Sequence, residues 1–121
     1  MHWPLWRVAV AESSMEPALQ PGDWLLVWRG IRPPRPAESG GTPRVRRLRI
    51  RPGHLVVARN PDQPEMLLVK RAAWREAGGW WLDSDNAFAG AVDSARFGLV
   101  GPDLIEGRVL GRYWPACRSR R

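Results

Sequence analysis

Ser14 and Lys70 are the two side chains of this sequence whose types and surroundings suggest covalent catalysis. The chain carries 19 Lys+Arg residues, and Lys70 is the only lysine among them. Arginine keeps its proton in proteins, whereas a desolvated lysine can lose it, so a site that needs a neutral amine cannot use arginine. The apolar run 66–69 directly before Lys70 is able to bury it. We take Lys70 as a candidate general base; the alternative is one lysine retained on a strand by chance.

Ser14 opens a short stretch, 14–19, whose sequence indicates a helical turn. A serine at the start of such a turn exposes its hydroxyl, and its own N–H can point towards a developing oxyanion. A serine hydroxyl needs a base to become a good nucleophile. Neither His2 nor His54 has a helpful local context, which leaves Lys70. The alternative role for Ser14 is that of an ordinary helix cap.

Burial is the structural property that this pairing requires. To act near neutral pH, a lysine needs its pKa lowered from about 10.4 to about 7 or 8. Three pKa units correspond to about 4 kcal/mol of differential solvation, which near-complete burial can supply.

Short strands are the elements that must position these residues. Gly (12) and Pro (12) are spread along the chain, so long helices are not expected. Segments rich in Val, Leu and Trp predict strands, with 55–59 and 66–74 forming a hairpin; they are 7–11, 24–28, 55–59, 66–74, 80–83 and 108–114. We predict a mainly β fold in a single domain over 1–121, with one helical turn at 15–19 and a frayed tail at 116–121.

Residues 29–52 are predicted to form one long basic loop rich in Arg, Pro and Gly. Within 29–51 there are eight arginines and one acid, Glu38, a net charge of +7 that equals that of the whole chain. Such a run is commonly a solvated loop, and the alternative is a patch for nucleic acid or an acidic partner. The eight tryptophans are expected mainly to fill a small β core, with Trp3 and Trp6 as candidates for a peripheral role.

Composition also excludes several classes of protein. No window approaches the roughly 18 to 20 apolar residues of a membrane span, and residues 1–7 lack the pattern of a secretory signal. The one cysteine, Cys117, cannot form an internal disulfide, and with only two histidines we expect no protein-built zinc site.

Several motifs occur in an order that resembles the signal peptidase I class of Ser/Lys serine peptidases. They are Ser14-Met15-Glu16-Pro17-Ala18-Leu19, Pro21-Gly22-Asp23, Pro52-Gly53-His54-Leu55-Val56-Val57, Val69-Lys70-Arg71, and Asp85-Asn86 with Asp93-Ser94. The match runs from about residue 8 to residue 114 and implies a small signal-peptidase/LexA-like β domain. Through 79–82 and 107–115 the chain most resembles a small branch, the nickel-type superoxide dismutase maturation peptidases.

The resemblance implies a cytoplasmic endopeptidase, with no cofactor and no transmembrane segment. Its protein substrate would be a nickel superoxide dismutase precursor, from which it removes the N-terminal propeptide. Ser14 matches the nucleophile that forms the acyl-enzyme, and Lys70 matches the general base. The Ser14 backbone N–H would contribute to the oxyanion hole, with Met15 and Ser13 beside it.

Further implied features concern support and substrate binding. Four residues match an acidic box that braces the catalytic strand: Asp85, Asn86, Asp93 and Ser94. The substrate would lie extended along strand edges near 11–13 and 66–70.

Four positions depart from the usual pattern of that class. Glu12 stands where glycine or serine is usual, and a carboxylate beside a forming oxyanion repels it unless it points away or is protonated. Ser84 replaces the glycine that usually opens the acidic box. Ala91 stands where a serine often orients the lysine, and Ala95 separates Ser94 from the arginine that usually follows it.

Two other interpretations are compatible with parts of the sequence. The first is a catalytically inactive β module that binds nucleic acid or an acidic partner through the basic loop; its binding would fall steeply with salt and be indifferent to Ser14→Ala. For the peptidase interpretation we do not expect a nucleic-acid partner. The second is a self-cleaving repressor of the LexA type, which is disfavoured because only 13 residues precede Ser14.

Overall fold

In the part of the chain that the structure describes, six strands form one antiparallel sheet, which confirms the mainly β fold and the likeness to a small signal-peptidase-like β domain. The computed structural model describes residues 4–11, 14–31, 48–86 and 92–114. The strands are β1 (Leu5–Ala9), β2 (Trp24–Trp28), β3 (Leu55–Arg59), β4 (Leu67–Glu76), β5 (Gly79–Asp83) and β6 (Ile105–Trp114). Their order across the sheet is β1-β2-β6-β3-β4-β5.

The predicted strands match the observed ones, with differences at their ends. β2 and β3 coincide with 24–28 and 55–59, and β3 pairs with β4 as the predicted hairpin. The helical turn is present, since the Leu19 N–H donates to the Met15 C=O at 2.8 Å. A short helix, α1 (Ser94–Phe97), was not predicted. Four residues are too few for a hydrophobic period to reveal a helix.

β6 starts three residues earlier than predicted because Gly107 does not break the strand. Gly107 is buried, and a Cβ built on it would lie 2.5 Å from the Val27 Cγ1 and 2.8 Å from the Trp28 C=O oxygen. Glycine is therefore required here because β6 packs tightly against β2.

Both faces of the sheet are covered by apolar clusters. On one face the buried residues are Ile50, Val56, Ala58, Ala72, Trp80, Leu82, Val100 and Ile105. On the other they are Val10, Met15, Leu19, Leu25, Val27 and Val57. Successive side chains of β3 belong to different clusters because alternate positions on a strand face opposite sides. This explains why the β3 sequence is continuously apolar from 55 to 58.

The expectation that the tryptophans mainly fill the core is wrong for most of those in the described ranges. Trp80 is buried, whereas Trp24, Trp74 and Trp114 are 39%, 45% and 62% exposed. Trp6 is half-buried, with the Arg29 guanidinium 4.6 Å above its ring. Large amphipathic rings tolerate partial exposure, so their number alone does not define a core.

Several predicted features lie outside the described residues. They are most of the basic loop (32–47), Trp3, Glu12, Ser13, Ala91 and the tail with Cys117. The two ends of the basic loop meet through a parallel bridge between Ile31 and Leu48. Within the ranges that the structure covers, no helix has the length and apolar character needed to cross a bilayer.

Candidate active site

Ser14 and Lys70 meet although 56 positions separate them in the sequence. The Lys70 Nζ donates to the Ser14 Oγ at 2.9 Å. Ser14 is 6% exposed and Lys70 is 1% exposed. This is the separation that the serine–lysine hypothesis requires, since a base must lie within hydrogen-bond reach of the proton it takes.

Lys70 owes its burial to its place in the middle of β4. It lies opposite Val56 across the β3–β4 ladder. Its neighbours at alternate positions, Leu68 and Ala72, are buried and face the same side of the strand. An ammonium in such surroundings is poorly solvated, which favours the neutral amine that a general base requires.

Ser84 is a second hydroxyl at the Lys70 amine, and sequence reasoning treated it only as a departure from a family pattern. The Lys70 Nζ donates to the Ser84 Oγ at 3.0 Å. Ser84 directly follows β5, and its N–H donates to the Asp93 Oδ2 at 3.2 Å. The one signal that could have identified it was a polar side chain at the end of a strand, next to the acidic box.

The turn that carries Ser14 is held against the segment after β5. The Asn86 N–H donates to the Ser14 C=O at 2.7 Å, and the Asp85 N–H donates to the Met15 Sδ at 3.4 Å. Met15 is 1% exposed and belongs to the second apolar cluster with Leu19. The structure therefore brings Met15, Asp85 and Asn86 to Ser14.

Asp85 also reaches the strand that carries the lysine. The Arg71 guanidinium donates to both Asp85 oxygens at 2.8 and 2.7 Å, and a third N–H donates to the Gly53 C=O at 2.8 Å. The hydrogen bond to Asp85 raises the pKa of Arg71. A bidentate pair fixes orientation as well as distance, so the segment after β5 is tied to both Ser14 and β4.

Asp93 and Ser94 support the segment beside Ser14 and Lys70. The Asp93 Oδ1 accepts from the Ala95 N–H at 3.0 Å and so caps α1. The Ser94 Oγ, 1% exposed, accepts from the Leu82 N–H at 2.7 Å. These bonds secure α1 to β5 and hold the start of the segment that includes Ser84.

The arrangement holds a hydroxyl and an amine within hydrogen-bond distance of each other. In the described ranges no group of three His, Cys, Asp or Glu side chains is placed to hold a metal ion. His54 lies before β3, where its Nδ1 accepts from the Arg51 N–H at 3.0 Å. The pKa of His54 is lowered by desolvation and then by Arg108 and Arg51. Ser13, expected beside the oxyanion hole, lies outside the described residues.

The chain is similar in sequence to subunits of mitochondrial inner membrane proteases. One from Schizosaccharomyces pombe, subunit 2, is 31% identical over an 87-position alignment that covers 57% of this chain and 48% of that protein. Subunit 1 from Xenopus tropicalis is 30% identical, with 54% and 51% covered. The ATP-independent inner membrane protease subunit 1a from Arabidopsis thaliana is 31% identical, with 52% and 50% covered.

The sequence similarity covers only part of each matched protein. No protein-family model matches the chain. The chain spans about half the length of the curated relatives it matches. Together with the fold, they support a relationship to the signal-peptidase-like proteases, and they do not single out the branch that matures nickel superoxide dismutase.

Proposed function

We propose that this protein is a serine endopeptidase in which Ser14 is the nucleophile and Lys70 is the general base. The observation that carries the proposal is the 2.9 Å contact between the Ser14 hydroxyl and the buried Lys70 amine. The similarity to protease subunits independently supports a hydrolytic function. Removing a hydroxyl and an amine from water costs free energy. A catalytic role would explain why both groups are nevertheless kept together in the interior.

The proposed reaction has two halves. The neutral Lys70 amine takes the Ser14 proton as the Oγ attacks the scissile carbonyl, and the oxyanion is stabilised by backbone N–H groups that include that of Ser14. The intermediate collapses, the C–N bond breaks, and the Lys70 ammonium returns the proton to the leaving amine. Lys70 then takes a proton from a water molecule as it attacks the Ser14 ester, and it returns that proton to the Ser14 Oγ as the new carboxyl group departs.

The sheet offers an edge on which an extended substrate can lie. Residues 67–70 of β4 pair with β3, whereas β5 joins β4 only from Arg71 onward. Among the described residues, no strand therefore lies on the other side of 67–70, directly before Lys70. Strand addition at this edge would present a peptide carbonyl next to Ser14, in the manner of β-augmentation.

The proposed substrate is the precursor of a nickel superoxide dismutase, processed in the cytoplasm. This part of the proposal rests on the resemblance of 79–82 and 107–115 to the maturation peptidases. The matched relatives are named for the mitochondrial inner membrane, so the substrate needs a direct test.

Mass spectrometry of the precursor after incubation with this protein is that test. We expect loss of a defined N-terminal fragment with the unaltered protein and none with Ser14→Ala or Lys70→Arg. Lys70→Arg is the sharper control, because it preserves a basic side chain but cannot supply a neutral amine. Folding of all three proteins is checked by circular dichroism.

A second probe separates the chemistry from the choice of substrate. p-Nitrophenyl acetate should release p-nitrophenolate in a burst and leave an acetyl group on Ser14, located by peptide mapping. Acetylation of Ser14 with an intact precursor would refute the nickel superoxide dismutase substrate alone. Absence of both reactions would refute the peptidase, and salt-sensitive nucleic-acid binding unaffected by Ser14→Ala would then favour the inactive module.

A further inference from the structure

The Lys70 amine contacts a hydroxyl that the proposed mechanism does not use. Its Nζ lies 2.9 Å from the Ser14 Oγ and 3.0 Å from the Ser84 Oγ. Ser14 would exchange a proton with it, whereas Ser84 has no bond to make or break. We propose that Ser84 is a positioning residue that orients the Lys70 amine towards Ser14, an inference that rests on the proposed serine–lysine chemistry.

The need for such a residue follows from the geometry of a neutral amine. Deprotonated Lys70 has two N–H groups and one lone pair, and only the lone pair can accept the Ser14 proton. Rotation about the Cε–Nζ bond can turn that lone pair away from Ser14. An acceptor at a fixed place beside the amine, such as the Ser84 Oγ, engages one N–H and favours rotamers that aim the lone pair at Ser14.

Ser84 is suited to this role because its own backbone is held at both sides. Its N–H donates to Asp93 at 3.2 Å, and it directly follows the last residue of β5. The next residue, Asp85, is held by both guanidinium bonds of Arg71. A hydroxyl carried on so restrained a segment is preorganised, which matters because small displacements of catalytic groups reduce rates strongly.

Ser84 neither gains nor loses a proton in the proposed reaction. During acylation the Ser14 proton moves to Lys70 and then to the leaving group, while Ser84 only accepts a hydrogen bond from the amine. Removing the Ser84 hydroxyl should therefore lower kcat by about 10- to 100-fold without removing the nucleophile or the base. The proposed substrate edge at 67–70 is untouched, so KM should stay nearly constant.

The first arm of the test measures acetylation of Ser14 by p-nitrophenyl acetate across pH. Ser84→Ala should lower the plateau rate, and Ser84→Thr, which keeps a hydroxyl, should recover most of it. Asn60→Ala is the control, because it removes a buried polar side chain between β3 and β4 that bonds to Asp62 and Met66 rather than to the amine. It should reduce thermal stability while leaving the plateau rate and the pH midpoint near those of the unaltered protein.

The second arm observes Lys70 directly and does not depend on catalysis. Since Lys70 is the only lysine, protein grown on [6-13C]lysine has a single labelled Cε whose chemical shift follows protonation. Removing an acceptor from the ammonium form lowers its pKa, so the titration should move to lower pH in Ser84→Ala and return in Ser84→Thr. The nearby charged groups are retained in each variant; they are Arg71, Asp83, Asp85 and Asp93.

The outcomes distinguish the two proposals. A lower plateau together with a shifted Lys70 titration in Ser84→Ala supports the role of Ser84. An unchanged plateau and titration would overturn it even if the peptidase is active. If the unaltered protein neither acetylates Ser14 nor cleaves the precursor, the proposed function fails, and the positioning role fails with it whatever the titration shows about the contact.

Discussion

Replacing Lys70 with methionine should abolish acetylation of Ser14 and leave the protein at least as stable as before. Methionine has a similar length, so it fills the space between β3 and β4 that the 1%-exposed lysine occupies. The variant removes the amine and tests whether Lys70 is kept for chemistry or for folding. Residues kept for function are often not the most stable choice at their position.

The expected change in stability comes from two opposing terms. The variant loses the hydrogen bonds from Nζ to Ser14 and Ser84, at about 1 kcal/mol each. It also no longer keeps an ionisable amine out of water, and replacing buried charged groups by apolar ones can stabilise a protein by about 1 to 4 kcal/mol. The difference between these terms ranges from a loss of about 1 to a gain of about 2 kcal/mol, so we expect the free energy of unfolding to rise by about 0.5 kcal/mol at neutral pH.

The stability difference between the unaltered protein and Lys70→Met should depend on pH. The proposed role of Lys70 requires a neutral amine in the folded state at a pH at which the unfolded chain is still protonated, so in that pH window the unfolded chain binds more protons. The stability of the unaltered protein therefore rises with pH through that window, and that of Lys70→Met lacks this contribution. The stability difference between the two proteins should shrink as the pH approaches about 10.4.

Urea denaturation followed by tryptophan fluorescence at several pH values measures these quantities. Leu25→Met is the matched control at a fully buried position of β2 and should change neither the activity nor the pH dependence. A loss of more than about 2 kcal/mol in Lys70→Met would mean that the amine stabilises the fold. The inference from its burial to catalysis would then be wrong.

Three further predictions concern the backbone and the electrostatics. Ala77 has a φ of 48° in the turn between β4 and β5, so Ala77→Gly should raise the unfolding free energy by about 0.5 to 1 kcal/mol, seen as a higher Tm; a lower Tm would contradict the strain at this position. Gly107→Ala would place a Cβ 2.5 Å from the Val27 side chain and should cost about 2 kcal/mol or more in urea denaturation, so an unchanged midpoint would refute the close packing. His54 should titrate below pH 6.5 in NMR because desolvation and then Arg108 disfavour its charged form. Its protonation therefore reduces the stability of the fold as the pH falls. Added salt should move the titration midpoint upward by screening Arg108.

Much of the fold could be predicted because its signals are local. Strands β2 and β3 are apolar runs bounded by turn residues, and their limits coincide with the predicted ones. Ser14 and Lys70 could be singled out from residue type alone, one as the start of a turn and the other as the only lysine. Side-chain alternation, turn chemistry and residue type act within a few positions, so a single sequence contains them.

The remaining features depend on contacts between distant parts of the chain. β6 lies between β2 and β3, and only that packing explains why Gly107 continues the strand. The exposed stack of Trp74 on Trp81, 5.1 Å between ring centroids, was also not evident from composition. Strand order and register decide which surfaces of such residues are covered, and neither is a local property.

The candidate site shows most clearly what the sequence determines and what only the tertiary structure determines. The sequence singled out a serine and a lysine by residue type and context, and the acidic box followed from the family resemblance. The 2.9 and 3.0 Å distances that join Lys70 to Ser14 and Ser84 were decided by the tertiary structure. A hydrogen bond is sensitive to tenths of an ångström, and such distances between remote residues are set by the packing of the strands and turns that carry them.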